Sequence, residues 1–147
     1  MRFSSIFAVT AIAVGLIGFG GGHASAQTVT YKATLLAIAE APPTDSKGSG
    51  YGVFTFNPAT KMLSWDVTFK GLTGPATAGH IHGPAAPGSN SGVMVPFTNV
   101  PAAADGEIKG SATLNDAQIA ALQGGKMYTN IHTAANKGGE IRGQLQP

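Results

Sequence analysis

Apolar and polar positions alternate along most of the chain. Val29, Tyr31, Ala33 and Leu35 alternate with Thr28, Thr30, Lys32 and Thr34, and Leu63, Trp65, Val67 and Phe69 alternate with Ser64, Asp66, Thr68 and Lys70. Successive side chains of a strand point to opposite faces, so each run predicts a strand with one buried face and one wet face. Tyr51 to Phe56 is an aromatic and β-branched run that ends at the turn signal Asn57-Pro58. Pro96 interrupts the short run Val93 to Phe97 and predicts an edge strand, because proline cannot donate to a ladder. Ile108, Ala112 and Leu114 share one face of a further strand. Asn115 is placed to cap a short helix, Asp116 to Leu122, which Gly124-Gly125 ends. Met127 to His132 and Glu140 to Gln146 read as a terminal hairpin around the loop Thr133 to Gly139. Many short strands with one helix predict an all-β fold, an antiparallel β-sandwich.

The first 26 residues break this pattern. Arg2, an apolar run from Ile6 to Phe19 and the small-residue site Ala24-Ser25-Ala26 together predict a secretory signal peptide. The apolar run is short of the ~20 residues that span a bilayer. A single domain is expected from Gln27 to Pro147, and a secreted or periplasmic location with no membrane insertion after signal removal. Without Arg2 the nine basic residues become eight against seven acidic ones, so no basic patch exists to bind nucleic acid. The chain has no cysteine, which leaves packing, strand pairing and any bound ion to stabilise it. No nucleophile motif, paired carboxylates or phosphate-binding glycine loop is present, so no catalytic residue is assigned.

The three histidines after the leader fall in two segments, Ala78-Gly79-His80-Ile81-His82-Gly83 and Asn130-Ile131-His132-Thr133. His80 and His82 point the same way from one strand, with Cα atoms roughly 6.6 Å apart. His132 adds a third nitrogen if its strand lies beside theirs. Three imidazoles suit Cu(II) or Zn(II), and a His₃ set with a fourth position open is also a catalytic zinc arrangement. Asn130 and Glu140 are candidates to orient an imidazole N–H. Met94 is a candidate thioether ligand or, more simply, a core residue. The alternative for all three histidines is structural: His82 bracing the loop Gly83 to Gly92, and His132 bracing the hairpin loop. Glu140 and Arg142 share a strand face; as an exposed ion pair, the favoured reading, they carry little energetic weight, and if buried they are instead a specificity device or an element of a site. The segments Gly106-Glu107-Ile108-Lys109-Gly110 and Gly139-Glu140-Ile141-Arg142-Gly143 echo one another, as two similar strand starts within one domain.

Several segments together resemble the CHRD domain, named for chordin: Glu40-Ala41-Pro42-Pro43, Leu63-Ser64-Trp65, Gly71-Leu72-Thr73, His80-Ile81-His82-Gly83-Pro84, Asn130-Ile131-His132-Thr133 and Gly139-Glu140-Ile141-Arg142-Gly143-Gln144-Leu145. The resemblance runs from about Thr30 to Leu145. It implies an exported all-β sandwich, alone or in arrays, and little about chemistry. The His-x-His strand is also locally similar to the copper-binding strand of copper/zinc superoxide dismutase, with the same Greek-key sandwich class. The chain lacks the extra histidines, the His/Asp-rich loop and the disulfide which that enzyme needs.

The expectation is therefore an exported, non-catalytic CHRD module that holds one copper or zinc ion through His80, His82 and His132. Two alternatives stand beside it. One is a metal-dependent enzyme of superoxide-dismutase-like type. The other is a purely structural cell-envelope domain with an extracellular or envelope protein as partner.

Overall fold

A computed structural model describes residues 27–147, and the expected signal peptide lies outside them. Eight strands form: β1 (Val29–Leu36), β2 (Ser49–Asn57), β3 (Met62–Lys70), β4 (Ala76–His82), β5 (Val93–Pro96), β6 (Gly106–Thr113), β7 (Tyr128–Thr133) and β8 (Ile141–Gln144). Among the described residues there is one α-helix, α1 (Asp116–Gln123), between β6 and β7. All named strand pairs are antiparallel, in the order β5-β4-β7-β8-β1-β2-β3-β6. The fold is thus all-β with a single short helix, and its hydrogen bonding runs unbroken through eight strands. Among the described residues no helix is long and apolar enough to cross a membrane.

The alternation read from the sequence decides which face is inside. Tyr31, Ala33 and Leu35 of β1, Phe54 and Phe56 of β2, and Leu63, Trp65, Val67 and Phe69 of β3 are buried, while their neighbours point outward. The sheet curls until its two ends share this core. The ring centroids of Trp65 on β3 and Phe97 just after β5 lie 5.0 Å apart. A Cβ on Gly79 of β4 would overlap Phe97 and touch Ile108 of β6. Gly110 of β6 has its own reason for being glycine: the Trp65 indole lies on its α-carbon, and a Cβ would come within 2.6 Å of the ring.

The helix starts where Asn115 predicts. Asn115 Oδ1 accepts from the Gln118 amide, and Gln118 Oε1 accepts from the Asn115 amide, a reciprocal capping box. Gln118 Nε2 also donates to the Met94 carbonyl and so ties the helix to edge strand β5. A Cβ on Gly83 would meet the Met94 sulfur and the Met127 side chain, and Met94 is half-buried against the core.

Candidate functional site

Pairing places His80 opposite Asn130, His82 opposite Tyr128 and Ala78 opposite His132 across β4 and β7. Asn130 in turn faces Arg142 on β8. His80, His82, Tyr128, Asn130, His132 and Arg142 therefore share the outer face of β4-β7-β8. This face is polar, yet His82, Asn130, His132 and Arg142 are all buried. Three loops cover it. Asn90 of the 83–92 loop donates to the Ala41 carbonyl at 2.6 Å, and Thr44 Oγ1 donates to the Glu140 carbonyl at 2.8 Å, which ties the 37–48 segment to the other two loops.

The three imidazoles come together, with one ligand nitrogen from each lying within 4.8 Å of the other two. His80 Nδ1 and His132 Nε2 are 3.0 Å apart. Two nitrogens bound to one ion at 2.0–2.1 Å and at angles of 90–110° sit about 2.9–3.4 Å apart, so this pair already has a ligand spacing. The widest pair, within 4.8 Å, must close by as much as about 1.4 Å to reach that spacing.

Two of the rings are held in one tautomer. His82 Nδ1–H donates to the Ser91 carbonyl at 3.0 Å, and His132 Nδ1–H donates to the Lys137 carbonyl at 2.8 Å. A carbonyl only accepts, so Nδ1 carries the proton on each ring and Nε2 carries a lone pair. Metal-bound histidines are commonly fixed in this way. His82 Nε2 is buried and has no hydrogen-bond partner. In the metal-free protein His80 Nδ1–H donates to His132 Nε2; ligation would move that proton to Nε2 of His80. Burial, with the charges of His132 and His82 adding to it, pushes His80 down to about 4. His82 is also lowered, chiefly by burial, although its bond to Ser91 opposes the shift. His80 and His82 are thus neutral at neutral pH.

Tyr128 stands between His82 and Arg142. The His82 and Tyr128 rings are stacked with centroids 4.9 Å apart and planes 4° from parallel, and the Arg142 guanidinium carbon lies 3.4 Å from the Tyr128 ring centre. Arg142 is 1% exposed and spends its donors on the Ser89 carbonyl at 2.7 Å and on Asn90 Oδ1 at 3.1 Å. The Tyr128 hydroxyl accepts from the Ser91 amide. These bonds fix the strip of loop whose carbonyl sets the His82 tautomer.

The exposed Glu140–Arg142 pair expected from sequence is not formed. Both residues are buried and each has its own partners. Glu140 accepts from Ser46 Oγ at 2.6 Å, the Thr73 amide at 2.7 Å, Thr73 Oγ1 at 2.6 Å, Thr133 Oγ1 at 2.5 Å and Asn136 Nδ2 at 3.1 Å. Burial alone would raise its carboxyl, but the hydroxyls of Ser46, Thr133 and Thr73 and the Thr73 amide outweigh it and hold Glu140 at about 2. None of these bonds reaches an imidazole, so Glu140 fastens loops and does not orient a histidine. The Nδ1–H groups of His82 and His132 find backbone carbonyls instead, which a residue-by-residue reading of side chains passes over. Glu40 was also missed: it is 5% exposed, and its carboxyl is raised by burial against the opposing effects of Asn130, Arg142 and the Ala41 amide. Its signals were its place in the Glu40-Ala41-Pro42-Pro43 segment of the family resemblance and a lone carboxylate in the apolar run Ala37 to Pro43.

No curated protein and no solved structure matches the chain. The CHRD domain profile matches residues 31–145, from the middle of β1 to just past β8, and takes in all three histidines and every residue of the loops that cover them. The chain belongs to the CHRD domain family.

Proposed function

We propose that the protein is an exported, non-catalytic CHRD module that holds one transition-metal ion, copper or zinc, through His80, His82 and His132. One observation carries the reading: one nitrogen from each of three imidazoles lies within 4.8 Å of the other two, and backbone carbonyls take Nδ1 of two of them, which leaves Nε2 as the ligand atom of those rings. Imidazole donors suit both Cu(II) and Zn(II). Export is supported by the composition of residues 1–26 and by the family's extracellular character. A protein of the envelope or extracellular space is the expected macromolecular partner.

His80 separates this reading from a purely structural one. His82 and His132 each clasp a loop carbonyl, so either role explains them. His80 makes its one ring hydrogen bond to His132, is only half-buried, and clasps nothing. An ion gives it a purpose that loop bracing does not.

The test is calorimetric titration of the tag-free mature domain with Cu(II) and with Zn(II), beside the His80→Ala/His82→Ala variant. The expected result is one ion per chain for the wild type and loss of that binding in the variant. Equal binding by both proteins, or by neither, overturns the reading.

A further inference from the structure

We propose that the side-chain oxygen of Asn130 is the fourth ligand of this ion, which makes the site a closed set of three imidazole nitrogens and one oxygen. The inference rests on the metal-binding reading above and assigns Asn130 a different part from the one expected of it, since backbone carbonyls already orient two of the imidazoles.

The argument begins with the nitrogen end of the Asn130 amide. Nδ2 donates to the Gly138 carbonyl at 3.4 Å. It also lies with Glu40 Oε1 against the bare α-carbon of Gly139, where any Cβ would overlap both atoms. Gly139 has φ 131°, so both its conformation and its lack of a side chain are used here. Glu40 and Asn130 interact through their side chains. The nitrogen end therefore faces Glu40 and the 138–139 turn. The amide is planar, and Oδ1 projects from its other arm. The Asn130 side chain also interacts with the His82 ring, His80 stands directly across the ladder, and His132 lies two residues along the same strand.

Two buried atoms there lack partners, Asn130 Oδ1 and His82 Nε2. With the His82 proton committed to Ser91, Nε2 is an acceptor, and Oδ1 can only be an acceptor. Native interiors seldom leave buried acceptors without a donor. A cation between them would satisfy both, and His80 Nδ1 and His132 Nε2, which share one hydrogen bond with each other, would turn to it as well. Among the other polar groups nearby, the Tyr128 hydroxyl is engaged with Ser91 and the Arg142 guanidinium with Ser89 and Asn90, while Glu40 Oε1, on the nitrogen side of the amide, has no hydrogen-bond partner. A carboxylate on the nitrogen end of the amide draws electron density toward Oδ1 and improves it as a ligand.

The donor set has consequences for metal choice. An amide oxygen is a hard ligand, so it favours Zn(II) or Cu(II) over Cu(I). It also fills the fourth position, which a hydrolytic zinc site leaves to water. The site is then of the structural kind.

The experiment is a Zn(II) titration of the wild-type domain followed by NMR of the histidine ring nitrogens and the Asn130 carboxamide carbon, with Asn130→Leu and Asn130→Asp measured beside it. The carboxamide carbon is expected to shift together with the rings and to saturate at one equivalent. Asn130→Leu, similar in shape but without the oxygen, is expected to weaken Zn(II) at least about tenfold. Asn130→Asp keeps an oxygen and loses the NH₂ donors, and is expected to bind at least as tightly as wild type. Rings that shift while the Asn130 carbon stays fixed overturn the proposal and leave the three-histidine site standing. Asn130→Asp as weak as Asn130→Leu also overturns it, because the NH₂ group would then be what matters. If no ring shifts, both readings fall. Should the variants not fold, the wild-type spectrum decides alone.

Discussion

The two halves of the sheet bury the same kind of inner face and treat their outer faces in opposite ways. On β1-β2-β3-β6 the outward residues, among them Lys32, Thr55, Thr68 and Lys109, lie open to water or nearly so. On β4-β7-β8 the outward residues are histidine, tyrosine, asparagine and arginine, and three loops close over them. Covering a polar face removes water from groups that must then find partners inside the protein. The echoed segments show the difference at the scale of five residues. In the β6 copy, Glu107 and Asp66 both reach Lys109, at 2.9 and 3.0 Å, on the surface. In the β8 copy, Glu140 sits in a cage of hydroxyls and Arg142 lies flat on Tyr128, and neither touches the other. The same local sequence makes an exposed ion-pair network in one half and a buried polar layer under loops in the other.

Breaking the roofed copy should have the largest effect. Glu140→Ala leaves five donors facing an apolar methyl and should destabilise the fold by about 3–5 kcal/mol in urea unfolding. The wild type carries a matching pH signature. Its folded carboxyl, at about 2, lies below the ordinary 4.5, so this contribution is fully present above pH 4.5 and is lost as the pH falls toward 2. The loss amounts to about 3 kcal/mol. Glu140→Gln should flatten that part of the curve, and a wild-type curve already flat between pH 5 and 2.5 would contradict the cage.

Arg142→Leu should cost less, about 2–3 kcal/mol, as the Ser89 carbonyl and Asn90 lose their donor. Its distinctive mark is local: amide exchange at Ser91 and Gly92 should speed up more than exchange in β2 or β3, because Arg142 holds the strip that fixes His82. Uniform acceleration across the sheet would show that Arg142 stabilises the fold without shaping the site.

His80→Ala should cost the metal-free domain under about 1 kcal/mol, since it removes one hydrogen bond from a half-buried ring. In the wild type, zinc at one hundred times its Kd should add about 2.7 kcal/mol, and His80→Ala should abolish that gain. Smallest of all, Glu107→Ala should change stability by no more than about 0.5 kcal/mol at any pH from 6 to 8, as befits an exposed pair.

The strands and the helix were legible because each obeys a short-range rule. Alternation marks β1, β2 and β3, Asn115 marks the helix start, and Pro96 marks the edge. The convergence of the histidines was half legible. The two-residue spacing of His80 and His82 fixes their common face, whereas the approach of His132 depends on which strands become neighbours, and the terminal hairpin brought it there. The environment of Glu140 and Arg142 was not legible, because it depends on Thr44, Ser46, Thr73 and the 86–90 backbone, which lie roughly 50 to 100 residues away along the chain. The carbonyls that set the histidine tautomers left no trace in the sequence either, since any residue at positions 91 and 137 supplies one.

The most direct measurement is a titration of the tag-free domain with zinc while the ¹⁵N resonances of all three imidazoles are followed at once. A shared site predicts that His80, His82 and His132 shift together, with Nδ1 of His82 and of His132 remaining protonated, and that the change is complete at one equivalent. A ring that stays where it was as the others move, or a response that continues past one equivalent without saturating, would contradict a single ion held by three histidines.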